Sequence, residues 1–226
     1  MSPADPRTGA AAPAKRKYDS SRRKRQAEQT RAEVLMSAME LFNTRGWSGT
    51  TLADVAAAAG VAVETIYSGF GSKKALVRDA FDAAVVGDAE RVPYVEREGY
   101  RLLGVGTLAA RMRAAMDLIA DTHERSAGVW RALADAADGD ADLMAWVLDA
   151  ERRRRLDLGR SLERVFERAM EGPLVDILWV LFGPESYRKL VHEAGLTRAQ
   201  YQRGLAEATL RILGEDPLVH LAGLPG

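Results

Sequence analysis

One glycine sets the architecture that the stretch from Thr50 to Leu76 can adopt. Gly60 enters the left-handed backbone region without a Cβ penalty, so it stops a helix that begins at Leu52. Thr51 before that helix is a good N-cap, with Asp54 at the N3 position of a capping box. Leu52, Val55, Ala56 and Ala59 then place small and apolar groups on one face. Past the turn, Val61 is an apolar plug, and Val63 to Ser68 is too short to hold a helix unless packed on its predecessor. Ile66 and Phe70 turn to the core, leaving Val63, Glu64, Thr65, Tyr67 and Ser68 on the other side. Ser72 caps a further helix with Lys73 and Lys74 in its first turn. Helix, glycine turn and short second helix make a helix-turn-helix, whose second helix enters a DNA major groove.

These residues, from Thr-Thr-x-x-x-Val-Ala-x-x-Ala-Gly-Val through Thr-Ile-Tyr-x-x-Phe-x-Ser-Lys-x-x-Leu, resemble the DNA-binding domain of the TetR family of bacterial transcriptional regulators. The resemblance covers about residues 25–77. Two positions depart from it: Ala62 stands where the family usually has a Ser or Thr N-cap, and Ser68-Gly69 where bulky polar residues are frequent. The resemblance implies Tyr67 and Lys73 as phosphate contacts, with Thr50 and Thr51 in the same role, although Thr51 has a capping task regardless. From position alone, Val63 offers a thymine methyl only apolar contact, and Thr65 adds a hydrogen bond. Glu64 either accepts from cytosine or complements the helix N-terminus, the second being favoured.

Charge supports this division. Residues 1–80 hold thirteen Lys/Arg against eight Asp/Glu, a net +5, and the balanced total leaves −5 on the remainder. A basic head on an acidic body fits DNA binding, although a solvated basic face would read the same. Residues 1–24, with Pro3, Pro6, Pro13 and two basic clusters, read as a disordered basic arm, either a phosphate or minor-groove contact or a solubilising tail. Cysteine is absent, which removes thiolate chemistry and disulfides. No apolar run approaches the ~20 residues of a membrane span, and no signal-peptide core appears, so a cytoplasmic location is expected.

The rest reads as helix throughout. The first helix is expected over about 25–44, with Val34, Leu35, Ala38, Leu41 and Phe42 buried; the next after Ser72 has Leu76, Val77, Ala80, Phe81 and Ala84 inside. Glycines and Pro93 make 87–106 irregular. Spacing predicts helices over about 107–124 and 129–137, a turn at Asp138-Gly139-Asp140, and a long helix over about 141–170. The final two cover 174–193, broken near Gly183-Pro184, and 198–214, with a capping box from Thr197 and Gln200. The fold class is therefore all-α: a three-helix DNA-binding head over 25–76, and a helical regulatory and dimerisation body over 77–226. The C-terminal stretch around Trp179, Tyr187 and Tyr201 more weakly resembles the regulatory domain of one TetR subgroup. That implies a dimer interface from two helices, through Leu174, Leu178 and Leu181 with Leu205, Ala208 and Ile212; burial inside one subunit explains the same stripes.

No enzyme constellation is present. His123, His192 and His220 lack metal-ligand spacing, no phosphate loop or serine elbow appears, and Asp138, Asp140 and Asp142 lack the Gly and Glu of a calcium loop. No metal or cofactor is expected. In the body, Met112, Met116, His123, Trp130, Met144, Leu148, Arg152 and Arg155 converge by helical phase on a candidate pocket. The same methionines and aromatics also serve as ordinary core. The arginines Arg152 to Arg155 pair with acids such as Asp117, Asp121 or Asp135, or one of them orients a ligand. The resemblance implies a repressor that binds a palindromic operator in double-stranded DNA as a homodimer and is released by a small-molecule effector; the candidate pocket residues make that effector apolar or aromatic in chemistry. The alternative is a constitutive or partner-controlled DNA binder with a structural body; an enzyme comes third.

Overall fold

The computed structural model describes residues 17–87, 96–170 and 172–221, and among these the chain is helical without a strand. Helix α1 (Lys17–Arg45), α2 (Leu52–Ala59), α3 (Val63–Phe70) and α4 (Lys73–Val86) form the head and its exit. The body follows as α5 (Glu98–Leu102), α6 (Leu108–Ala137), α7 (Ala141–Phe166), α8 (Pro173–Leu181), α9 (Pro184–Tyr187), α10 (Arg198–Ile212) and α11 (Pro217–His220). A π-helical turn over Arg188–Glu193 extends α9, closed by the Ala194 N–H on the Lys189 carbonyl. Of the expected arm, residues 1–16 lie outside the described residues, while 17–24 belong to α1. No proline or glycine interrupts the sequence from Lys17 to Arg45, so nothing stops the helix there.

The head is built as its caps dictate. Thr51 Oγ1 accepts from the Asp54 amide at 3.1 Å while Asp54 accepts from the Thr51 amide at 2.8 Å, completing the capping box. Gly60 at φ 65° closes α2, and Ser72 caps α4 through the Ala75 amide. Val34, Phe42, Val55, Ile66, Leu76 and Val77 are fully buried between these helices.

That core does not end with the head. The same buried cluster continues through Ala80, Ala83 and Ala84 of α4 into Val129, Leu133 and Ala136 of α6 and Val147 of α7. A division at residue 76 thus cuts through continuous packing. A second cluster, around Met112, Met116, Leu162, Leu178, Tyr201 and Leu210, fills the far end of the body.

The two helices expected over 107–124 and 129–137 are one. Gly128 lies mid-helix in α6, where α1 crosses. A Cβ on Gly128 would stand 2.5 Å from Asn43 Oδ1 and 2.7 Å from Asn43 Cα. Asn43 donates from Nδ2 to the Arg125 carbonyl and accepts from the Val129 amide, each at 2.9 Å. These are the two α6 groups that an α-helix ordinarily pairs with each other. Arg125 Nε adds a bond to the Ala84 carbonyl at 3.1 Å, tying α1, α4 and α6 at one point.

At the far end of the body, His123 is 3% exposed. Its Nδ1 meets the Tyr201 hydroxyl at 2.8 Å, and the Tyr187 ring lies 5.4 Å away. Burial, with the Arg154 charge nearby, lowers its pKa to about 3. The α8–α10 expectation needs a correction: Leu178 and Leu205 are buried within one chain, and the outward apolar face of α8 is Leu174, Ile177 and Val180.

Two outcomes follow from these contacts. Gly128→Ala, a change that stabilises an ordinary helix, lowers unfolding free energy by about 1–3 kcal/mol here, because α1 backbone occupies the Cβ site; urea unfolding measures it. For His123, the folded pKa lies below the unfolded value of 6.5, so the unfolded chain binds a proton that the native one refuses. Stability is full above pH 6.5 and falls as pH drops toward 3, by about 2 kcal/mol between pH 6.5 and 5. Urea midpoints across that range show the loss, and His123→Gln removes this share of the slope.

Candidate nucleic-acid interface and body cavity

The second helix of the motif, α3, presents its outer face as its phase requires. Glu64, Thr65, Tyr67 and Ser68 are exposed together, and the Ser68 hydroxyl turns back to the Thr65 carbonyl at 3.0 Å. Val63 leans into the head core instead. Ala62 makes no side-chain cap, so α3 begins with its first amides open. Arg31, which sequence reasoning passed over, holds the other end of α3: it donates to the Gly69 carbonyl at 3.2 Å, pairs with Asp79 at 2.5 Å and lies 4.3 Å over the Phe70 ring.

Thr50 and Lys73 differ from expectation. Thr50 is fully buried, its hydroxyl shared between the carbonyls of Gly46 at 2.9 Å and Leu41 at 3.2 Å, so its side chain is a clamp on the turn and absent from the outer surface. Thr51 is exposed but already bonded to Asp54. Lys73 is half-buried, with Nζ 3.8 Å over the Trp47 ring and donating to the Trp47 carbonyl at 2.5 Å. Burial lowers its pKa, against the pull of Asp54.

In the body, α4, α6 and α7 enclose a cavity of about 410 Å³. Met112, Met116, His123 and Trp130 line it, as their phase predicted, together with Ile119, Leu158 and Leu162. Met144, Leu148, Arg152 and Arg155 do not, and this is a correction. Met144 and Leu148 are 40% and 54% exposed on the outer face of α7. Arg152 pairs with Asp149, and Arg155 with Asp176 of α8, both toward solvent. The helix turns so that Arg153 and Arg154 border the cavity instead. None of the four arginines meets Asp117, Asp121 or Asp135; Asp121 pairs with Arg198, and Asp117 takes a hydrogen bond from Gln202.

Arg154 is the centre of a bond set at the cavity wall. It grips Glu151 through two nitrogens, at 2.7 and 3.2 Å, and donates to the carbonyls of Trp179 at 2.9 Å and Phe182 at 3.2 Å. Phe81, Asp82, Val85 and Val86 bring α4 into the same wall. Sequence periodicity had placed Phe81 inside; Asp82 gave no signal, since a polar residue on an amphipathic helix reads as solvated. Among the described residues no group of His, Asp or Glu is arranged to hold a metal, and no helix is long and apolar enough to cross a membrane.

Residues 34–80 match the family model of bacterial regulatory proteins, tetR family. The regulator AlkX of Mycobacterium tuberculosis is 48% identical over 48 residues, which are 21% of this chain and 23% of that one. TtgR of Pseudomonas putida is 42% identical over 62 residues, 27% of this chain and 30% of that one. Both are HTH-type transcriptional regulators, and the match spans less than a third of either relative's length. A crystal structure described as a TetR-family transcriptional regulator from Mesorhizobium loti superposes with a TM-score of 0.59 at 20% identity, covering 84% of this chain and 98% of that one. A Clostridium perfringens protein described as a fatty acid metabolism regulator gives 0.52 at 16%, over 81% and 98%. These two likenesses establish the shared fold from head through body. The head, with its motif residues in register and its outer α3 face open, is a DNA-binding domain of the TetR type, carried on a chain whose overall fold is shared with these solved structures.

Proposed function

We propose that the chain is a repressor that binds a palindromic operator as a homodimer and is released by a small molecule held in the body cavity. The observation that supports this best is α4, one helix that is capped against the head at Ser72 and forms the cavity wall at Asp82, Val85 and Val86. A ligand that fits better when α4 is displaced lowers operator affinity by its differential binding to the two states. The cavity, about 410 Å³ and mostly apolar, lies within the range of small-molecule sites, roughly 300–1,000 Å³. A body serving only as a scaffold has no use for such a void, which costs stability by the cavity term.

Dimerisation is supported by α8, where Leu174, Ile177 and Val180 leave an exposed apolar face, 44%, 52% and 61% exposed. A dimer formed through this helix would have to set its paired recognition helices ~34–36 Å apart to match half-sites one turn of DNA apart. Base contacts fall to Thr65 and Glu64, and backbone contacts to Tyr67 and Thr51.

Met116→Trp fills the cavity and leaves operator affinity within about twofold, while the response to the effector disappears; a gel-shift titration with effector reads both, and a normal response removes the cavity from the mechanism. Ile177→Glu puts a charge at the centre of the proposed interface. Sedimentation at micromolar concentration shows dimer for the parent chain and monomer for this variant, and a parent that sediments as a monomer defeats the homodimer reading.

A further inference from the structure

We infer that the cavity is built for an apolar molecule bearing a positive charge, with Asp82 of α4 receiving that charge; this rests on the cavity being the effector site. The lining holds three carboxylates, Asp82, Glu151 and Asp157, against two guanidiniums, Arg153 and Arg154, and His123 beside them is neutral. Neither guanidinium is free for a ligand. Arg154 is saturated by Glu151 and two carbonyls, and Arg153 is bonded to Asp149 and lies 5.8 Å over the Trp146 ring. An anion entering this space finds no uncommitted cation, and desolvating it unpaired is costly.

The carboxylates are not equivalent. Glu151 is held by Arg154, and Asp157 accepts from Arg160 at 3.2 Å. Among the described residues Asp82 makes no hydrogen bond or ion pair. It is exposed where the cavity opens, beside Phe81, whose ring lies 5.1 Å from that of Trp130. Partial burial raises its pKa, with Arg153 opposing and Asp79 and Arg78 adding smaller effects of opposite sign, so a cation arriving there relieves an existing penalty. A carboxylate that shares a cavity lining with two neighbouring aromatic rings is the chemistry that recognises an ammonium or a similar soft cation. Deeper in, the lining is apolar except for hydroxyls. Thr122 and Thr209 have theirs bonded to the carbonyls of Leu118 and Leu205, whereas Ser126 has no partner among the described residues and is open to one neutral polar group of the ligand. The charge of the ligand would then bear on α4, the helix that leads to the head.

Displacement of the neutral fluorophore N-phenyl-1-naphthylamine tests this with three competitors of equal chain length: decyltrimethylammonium, decanol and decanoate, all below micellar concentrations. The ammonium should displace the probe about five- to tenfold more effectively than decanol, and decanoate less effectively than decanol. Asp82→Asn should abolish the gap between ammonium and alcohol, while Asp82→Glu retains it. Equal potency of the three, a preference for decanoate, or a gap that survives in Asp82→Asn overturns the inference while leaving the cavity in place. Failure of the fluorophore to bind, or equal binding to Met116→Trp, overturns the cavity reading itself and the inference with it.

Discussion

Two hydrogen bonds from one side-chain amide set the position of the head on the body. Asn43 stands where α1 crosses α6 and spans the Arg125 carbonyl and the Val129 amide. A helix that admits a foreign amide into its ladder must let another backbone come close, and only glycine at 128 leaves the room. The α1–α6 contact lets the core of the head run on into Val129 and Leu133 without a seam. The Arg125 bond to Ala84 then brings α4 to the same point. The tie to α4 thus falls at Ala84, within the stretch from Asp82 to Val86 that walls the cavity.

Much of the head was legible because its signals are local. Thr51 with Asp54, Gly60, Ser72, and Thr197 with Gln200 act within three or four residues, and the structure keeps every one of those caps. Helical phase also placed Met112, Met116, His123 and Trp130 together, since all four sit on α6. What failed was long-range. The continuity of α6 through Gly128 and the bonds of Asn43 depend on α1 lying against them, which no local signal carries. On α7, small errors of phase accumulate over several turns: Arg152 and Arg155 were assigned to the wall that Arg153 and Arg154 occupy. Thr50 and Thr51 look alike in sequence, yet a one-residue shift separates a buried clamp from an exposed cap.

The body joins two opposite requirements. Around His123, Tyr187 and Tyr201 the rings are close-packed and polar groups are satisfied, which makes a rigid floor. The same α6 borders open space from Met112 to Trp130, His123 included. Under the proposed function, rigid packing on one side and a void on the other would pass a ligand's effect to a whole helix rather than to local rearrangement.

Lys73 shows how the head is prepared before it meets DNA. Its ammonium already rests on the Trp47 ring and carbonyl, so a phosphate has to compete with an existing seat. An ammonium that stays on this seat releases fewer condensed ions from the duplex than one brought against a phosphate. The release of counterions, which governs how steeply affinity falls with salt, is left to cations standing in open water. Arg22 and Arg25 on the first turns of α1 are exposed, so under the proposed function the ionic sensitivity of DNA binding would fall to the leading end of the first helix, upstream of the helix-turn-helix.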